Sequence, residues 1–222
     1  FYKEIESFLS EDDQKAFKKY IDEKVPNYLI ECDEKRLIGE TESPICQLIK
    51  NDSITEFEAY IKENKMSLCA TIELSIYETN SYLIHSHPDL LEYSAFYGSV
   101  NIFEFLSLRR VSCSSGIWIY AIHSNNPKII NTLKRKCIKI PFVQSVYDEV
   151  IKCHHNNLIN YLTDEMIEKN EFYCAYKCIS NYNFALLPER FDVMNYEIIY
   201  AFISCHFNEI VELLINNSLL KG

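Results

Sequence analysis

The chain has 222 residues, of which 48% are hydrophobic and 14% aromatic, so it can bury one continuous core without a structural metal or a disulfide. The formal net charge of −10 disfavours nucleic acid or an anionic lipid surface as the main ligand, because both are bound through lysine and arginine. The nine cysteines are scattered among apolar runs, which indicates reduced thiols and a cytoplasmic location.

The sequence shows no targeting signal. Its longest apolar stretch, residues 196–205, contains Glu197 and is far shorter than the roughly 20 residues that a membrane helix needs. We therefore expect no membrane insertion. Phe1 and its charged neighbours are typical neither of a signal peptide nor of a natural start, so we expect the sequence to be a monomeric segment of a longer chain.

Residues 1–43 are predicted to form a helical N-terminal segment that caps the rest of the chain. Ile5, Phe8 and Leu9 share one helical face. Ser10, followed by three acidic residues, is typical of a helix N-cap, because its hydroxyl can accept a hydrogen bond from a free amide and the acids suit the positive helix end.

Residues 44–87 are predicted to contain a divergent helical pair and a connecting segment. Ser53 is the expected turn residue of this pair, and Ser53 with Glu56 has the spacing of a capping box. The apolar residues Phe57 and Ile61 then follow it by four and eight positions. Residues 67–87 contain an alternating stretch, but an isolated strand would have no pairing partner, so we expect a short helix and a loop.

A repeated pattern fills residues 88–222, with markers at Gly98, Asn125, His154 and His206. The last interval leaves room for one more unit, with Asn181 as its marker. A bulky apolar residue precedes each marker by seven positions, an apolar pair follows by four and five, and leucine follows by eight. The residues seven positions before the markers are Leu91, Trp118, Tyr147 and Ile199. The apolar pairs are 102–103, 129–130, 158–159 and 210–211. The leucines are Leu106, Leu133, Leu162 and Leu214.

Each unit is predicted to be an inner helix of about eight residues, a tight turn at the marker, and an outer helix of about ten residues. A turn between antiparallel helices commonly needs one residue with positive φ, which glycine adopts freely and which asparagine and histidine tolerate. In the second unit, Asn126 and Pro127 are predicted to be the N-cap and first residue of the outer helix.

Residues 94–106 resemble the ankyrin repeat, whose pattern around this turn reads Ala-Ala-x-x-Gly-x-x-x-Val-Val-x-x-Leu. The run from 88 to 217 is similar to the large divergent ankyrin family of anaerobic protists. The Thr-Pro-Leu-His motif of that family is missing from every unit, and the period is shorter than its roughly 33 residues, which puts its β-hairpin fingers in doubt. The resemblance implies an all-α ankyrin-type helix-turn-helix solenoid of four to six units, with the repeats at 88–222.

Ankyrin repeats imply a non-enzymatic scaffold, adaptor or effector that binds a protein partner on its concave face. That face includes the two residues before each marker, and the expected partner-binding residues there are Phe96, Tyr97, His123, Ser124, Lys152, Cys153, Ser204 and Cys205. Phe96 and Tyr97 are either exposed anchors or packing residues of the neighbouring helix. Arg109 and Arg110, with the basic run 134–136, either complement helix ends or form a patch for an acidic partner segment.

The alternative class is a metal- or thiol-dependent enzyme that uses Cys153, His154 and His155. Zinc needs about four converging ligands, whereas His154 is a marker and free cysteines usually fill small buried positions. Ser114-Ser115-Gly116 lacks the context of a nucleophile elbow, and four glycines leave no phosphate-binding loop. The sequence therefore predicts no catalytic residues, no metal site and no cofactor.

Overall fold

The computed structural model describes residues 10–24, 34–109, 111, 113–136, 138, 143–162, 171–187 and 196–219. Regular structure within these residues is helical, which confirms the predicted all-α class. The one β contact among them is an isolated antiparallel bridge between Thr71 and Asp89. None of the described helices combines the length and the apolar character needed to cross a bilayer.

The helices are short and follow one another closely. In chain order they are α1 (Glu11–Lys24), α2 (Pro44–Lys50), α3 (Ile54–Glu63), α4 (Ser81–Ser86), α5 (Leu90–Tyr97), α6 (Val100–Leu108), α7 (Ile117–Ser124), α8 (Pro127–Arg135), α9 (Val143–Lys152), α10 (Asn157–Leu162), α11 (Glu171–Ser180), α12 (Tyr196–Ser204) and α13 (Asn208–Leu219), with a 3₁₀ turn at Phe184–Leu186.

The chain divides into two compact units, of which the smaller contains residues 1–46 and 72–87. Its helix α1 begins after Ser10, whose hydroxyl accepts a hydrogen bond from the Asp13 amide, as predicted for an N-cap. The buried Glu78 carboxylate accepts hydrogen bonds from the Thr41 amide at 3.0 Å and from its hydroxyl at 2.9 Å. Helix α4 begins after Asn80, which agrees with the short helix and loop expected in this region.

The larger unit contains residues 47–71 and 88–222, and its helices pack as successive pairs. The first helix of each pair contacts the first helix of the next, in the order α5, α7, α9, α11 and α12. The second helices α3, α6 and α8 also contact one another in order. We call the first members inner helices and the second members outer helices. The pairing of adjacent elements explains why the hydrophobic pattern repeats along the chain.

The predicted apolar columns are buried in the first two strong units and shift in the later ones. Leu91 and Trp118 are buried, as are the leucines and apolar pairs of α6 and α8. Tyr147 and Ile199 are only half-buried, whereas the preceding residues Val146 and Ile198 are buried. The continuous buried column is thus eight residues before the marker, because the later inner helices present a slightly rotated face to the core.

The predicted turn residues have the left-handed backbone that the markers require. The φ angles are 74° at Gly98, 48° at Asn125, 57° at His154 and 63° at His206, which confirms the prediction for all four. The two weaker units were misplaced by one residue. Their positive-φ residues are Asp52 (φ 50°) and Tyr182 (φ 57°), so the markers assigned to Ser53 and Asn181 were wrong.

The misassigned turns follow from where the helix caps lie. Ser53 is the N-cap position of α3, but its side chain makes no capping hydrogen bond, so the predicted capping box is wrong. A reciprocal capping box instead joins Asp89 and Glu92 at the start of α5. Asn126 caps α8 and Pro127 is its first residue, as predicted.

A line of side-chain to backbone hydrogen bonds connects the turns, and we call it the turn ladder. At the four turns from Gly98 to Tyr182, the residue after the turn residue reaches a carbonyl of the preceding pair. Ser99 donates to Ile49, Asn126 Nδ2 to Gly98 at 3.1 Å, His155 Nε2 lies 3.3 Å from the His123 carbonyl, and Asn183 Nδ2 donates to Ile151 at 2.9 Å. The turn ladder fixes the position of each pair against its predecessor.

At the first contact of the turn ladder, between the turns at Asp52 and Gly98, a side chain of one turn also caps a helix of the next pair. Asp52 accepts hydrogen bonds at 3.0 Å from the amides of Asn101 and Ile102, and so caps α6 from the neighbouring turn. Ser99 does not cap its own helix, and its hydroxyl is therefore used in the turn ladder. At the last turn the equivalent position is Phe207, which packs against aromatic rings including Phe202.

Candidate functional site

The ends of the inner helices form a continuous strip of side chains, which we call the inner-helix row. Lys50 Nζ lies 5.0 Å from the centre of the Tyr97 ring, and the ring centres of Tyr97 and Phe96 are 5.1 Å apart. The Phe96 ring centre lies 4.6 Å from that of His123, whose Nδ1 is 3.6 Å from Cys153 Sγ. Residues predicted from the marker spacing in three units are therefore neighbours on one surface.

Phe96 and Tyr97 are half-buried packing residues. The tilted stacking of Phe96 on His123 connects α5 to α7, and Tyr97 also contacts Tyr93 with ring centres 4.8 Å apart. Of the two possibilities that the sequence leaves open, the structure favours packing against the neighbouring inner helix. The rings are consequently rigid, since neighbours on both sides restrict their rotamers.

His123, Glu149 and Cys153 form a compact cluster between α7 and α9. His123 Nε2 lies 2.8 Å from Glu149 Oε1, and Cys153 Sγ lies 3.8 Å from the same oxygen. Lys152 Nζ approaches Glu149 Oε1 at 3.4 Å from the solvent side, with its side chain 46% exposed. Cys153 directly follows α9, and its amide still donates to the Glu149 carbonyl at 2.9 Å, so the two side chains, four residues apart, both face α7.

The surroundings shift the pKa values of the two acidic groups of the cluster in opposite directions. Burial by itself would raise the pKa of Glu149, but its hydrogen bond to His123, the charge of His123 and the Lys152 ammonium together lower it. Burial, followed by the negative charge of Glu149, raises the pKa of the Cys153 thiol to about 12. A thiol protonated at neutral pH is a poor nucleophile, which speaks against Cys153 as the attacking group of a thiol enzyme.

Cys153, His154 and His155 do not converge, although they are consecutive in sequence. His154 Nε2 lies 2.9 Å from the Asn181 carbonyl in the following turn, and His155 Nε2 lies 3.3 Å from the His123 carbonyl in the preceding one. The two imidazoles therefore extend toward different helix pairs. The ligand set that the alternative enzyme hypothesis requires is not assembled by these three residues.

The other residues predicted in the pairs before the markers have local contacts. Ser124 donates to the Ala121 carbonyl and accepts from the Asn126 amide, so it supports the turn at Asn125. Ser204 is exposed and donates to the Tyr200 carbonyl. Cys205 is half-buried against the core cluster of α11 and α12. The described contacts of Ser204 and Cys205 do not join them to the inner-helix row.

The basic residues lie at the far ends of the outer helices. The Arg109 guanidinium carbon lies 3.4 Å from the centre of the Phe105 ring, and Nη1 donates to the Phe105 carbonyl. Lys136 Nζ donates to the Ser107 carbonyl at 3.1 Å, so the ends of α6 and α8 are adjacent. These contacts favour the helix-end interpretation. Arg110 lies outside the described residues.

Glu149 is the member of the site that sequence reasoning missed. It lies five residues before the marker His154, on the buried side of α9, where the pattern predicts only packing residues. The available signal was the alignment of units, since His123 lies two residues before its marker Asn125 and Cys153 lies one residue before its marker His154. A carboxylate one helical turn before Cys153 shares its side of the chain, but which unit that side faces depends on the rotation of α9.

Comparison of the chain with protein-family models, with curated proteins and with solved structures finds no match in any of the three.

Proposed function

We propose that this chain is a non-enzymatic protein-binding module of the ankyrin-type solenoid class, and that the inner-helix row is its main contact surface. The observation that carries the proposal is the row itself. It places Lys50, Phe96, Tyr97, His123 and Cys153 side by side across four inner helices. The proposed role is that of a scaffold, adaptor or effector segment that binds a protein partner.

The inner-helix row has little to reorganise when a partner binds. Half-buried aromatic rings offer large contact area, and their rotamers are already restricted by the neighbouring inner helices, so less entropy is lost on binding. The residues of the row differ in charge and size from one unit to the next, whereas the core beneath them stays apolar. Such variation on a fixed scaffold is typical of a surface used for recognition.

The charge at the two ends of the aromatic segment indicates what the partner should offer. Lys50 lies over Tyr97 at one end, and the exposed Lys152 lies beside Glu149 at the other. We expect a partner segment with an apolar or aromatic side chain at the centre and a carboxylate near Lys152. Complementary rim charges of this kind affect the association rate and its salt dependence more than the final affinity.

The test compares charge reversals at two exposed lysines. Lys152→Glu changes the row, whereas Lys128→Glu changes the exposed face of the outer helix α8. Both proteins and the wild type serve as bait in affinity purification from the native cell, followed by quantitative mass spectrometry. We expect Lys152→Glu to lose a saturable partner that Lys128→Glu retains. Equal recovery by both variants, or no saturable partner with any bait, would refute the proposal.

A further inference from the structure

The three ligand-type atoms of the His123, Glu149 and Cys153 cluster lie close enough to share one ion. One imidazole nitrogen, one carboxylate oxygen and the thiol sulfur are all within 4.8 Å of one another. Ligand atoms around a tetrahedral Zn²⁺ are about 3.5 Å apart, as follows from metal–ligand bonds of about 2.0 to 2.3 Å. Cys153 Sγ lies 3.6 Å from His123 Nδ1 and 3.8 Å from Glu149 Oε1, which matches that spacing, whereas Glu149 Oε1 contacts the other ring nitrogen, His123 Nε2.

We propose that His123, Glu149 and Cys153 bind one Zn²⁺ ion, with the fourth coordination position left to water. The inference is independent of the protein-binding function, because it rests on this cluster alone. Sulfur and imidazole ligands select zinc and similar transition metals, whereas Mg²⁺ and Ca²⁺ require mostly oxygen ligands. When its sulfur binds the ion, the Cys153 thiol releases its proton to solvent, and the resulting thiolate and the carboxylate together supply the two negative charges that balance the ion.

The cluster is supported in the manner of a preorganised site. His123 and Glu149 come from the two packed helices α7 and α9, and Cys153 is the first residue after α9. Phe96 stacks on the His123 ring and restricts its rotation, and His155 lies against the His123 carbonyl at the end of the same helix. Supporting contacts of this kind fix ligand orientation and commonly matter for affinity.

Two adjustments are needed when the ion enters. Glu149 Oε1 has to leave His123 Nε2, which is 2.8 Å away, and approach the ion on the Nδ1 side of the ring, where Cys153 Sγ lies. Lys152 has to leave Glu149, which its long and 46% exposed side chain permits. Both movements involve side-chain rotation on fixed helices, so the backbone of α7 and α9 can stay in place.

The competing interpretation is a purely structural ion pair between His123 and Glu149 beside an inert thiol, and cobalt spectroscopy separates the two. The reduced protein is titrated with Co²⁺ after chelator treatment and dialysis. We expect one equivalent to produce a thiolate-to-cobalt charge-transfer band in the near ultraviolet, together with the strong visible bands of tetrahedral Co²⁺. Added Zn²⁺ should abolish both signals, and excess Mg²⁺ should abolish neither.

Matched variants assign the signal to this cluster. Cys153→Ser should lose the charge-transfer band, whereas Cys205→Ser, which alters another half-buried cysteine, should keep it. Glu149→Gln should weaken Zn²⁺ binding at least tenfold in a competition assay. Circular dichroism checks that each variant remains helical. The proposal is refuted if no charge-transfer band forms, if Cys153→Ser retains it, or if Glu149→Gln binds Zn²⁺ as tightly as the wild type.

Discussion

The turn ladder makes a quantitative prediction at Asn183, whose side chain is only 1% exposed. Its Nδ2 donates to the Ile151 carbonyl at 2.9 Å and to Asn156 Oδ1 at 2.8 Å, and its Oδ1 accepts from Asn156 Nδ2 at 3.1 Å. Asn183→Ala removes all three bonds and leaves the Ile151 carbonyl without this partner in a buried position. The change therefore affects the junction between the α9 and α11 pairs.

The expected loss can be estimated from the contacts. A net contribution of about 1 kcal/mol for each of the three hydrogen bonds gives a destabilisation of about 2 to 4 kcal/mol, while the Ile151 carbonyl keeps its bond from the His154 amide. Asn157→Ala is the matched control, because the exposed Asn157 makes only the longer reciprocal contacts with Asn125, at 3.2 and 3.4 Å. Its expected cost is below about 0.5 kcal/mol.

Urea unfolding provides the measurement. The free energy of unfolding is obtained from circular dichroism and, independently, from the fluorescence of Trp118, the single tryptophan, which is buried in α7. Coincident transitions justify a two-state fit, whereas separate transitions indicate that the pairs after α9 unfold before the rest. The reasoning is wrong if Asn183→Ala costs no more than Asn157→Ala.

Three further substitutions test the turns, the cap and the row. His206→Gly should raise the free energy of unfolding by about 0.5 to 1 kcal/mol, because relief of left-handed strain exceeds the entropy cost of glycine; a loss would contradict the turn assignment. Asp89→Ala should cost about 1 kcal/mol, but Asp89→Asn keeps the acceptor for the Glu92 amide. Since burial raises the pKa of Asp89, its folded form holds a proton to a higher pH than the unfolded chain does. Wild-type stability relative to Asp89→Asn should therefore fall as the pH rises above the ordinary carboxyl value of 3.8, and a rise would refute the sign. The double change Phe96→Ser and Tyr97→Ser should lower stability by about 2 to 4 kcal/mol in a thermal or urea melt, because both rings pack between helices; an unchanged melt would restore the exposed-anchor interpretation.

The turns were predictable because their requirement is local. A positive φ excludes most side chains on steric grounds, so Gly98 and Asn125 were recognisable from residue type and spacing alone. The turns at Asp52 and Tyr182 were each predicted one residue away, because residue type did not single them out. Asp52 is next to an equally polar serine, and a tyrosine is not an expected residue for a left-handed turn.

The cluster could not be predicted because it depends on tertiary contact. His123 and Cys153 lie near the turns, but their separation depends on how α7 packs on α9 and on the rotation of each helix. The shift of the buried column from Tyr147 to Val146 shows that this rotation varies along the chain. It also decides that Glu149 faces α7, which no pattern of apolar residues encodes.

The turn ladder separates the register of the helix pairs from the length of chain between them. Gly98 and Asn125 are 27 positions apart, whereas Asp52 and Gly98 are 46 apart, and the longer interval includes residues 72–87 of the smaller unit. Nevertheless Asp52 and Ser99 connect their pairs just as the later turns do. Connecting segments can therefore lengthen, shorten or accept an inserted element during evolution without disturbing the stack, provided that each turn keeps the side chain that reaches back to its predecessor.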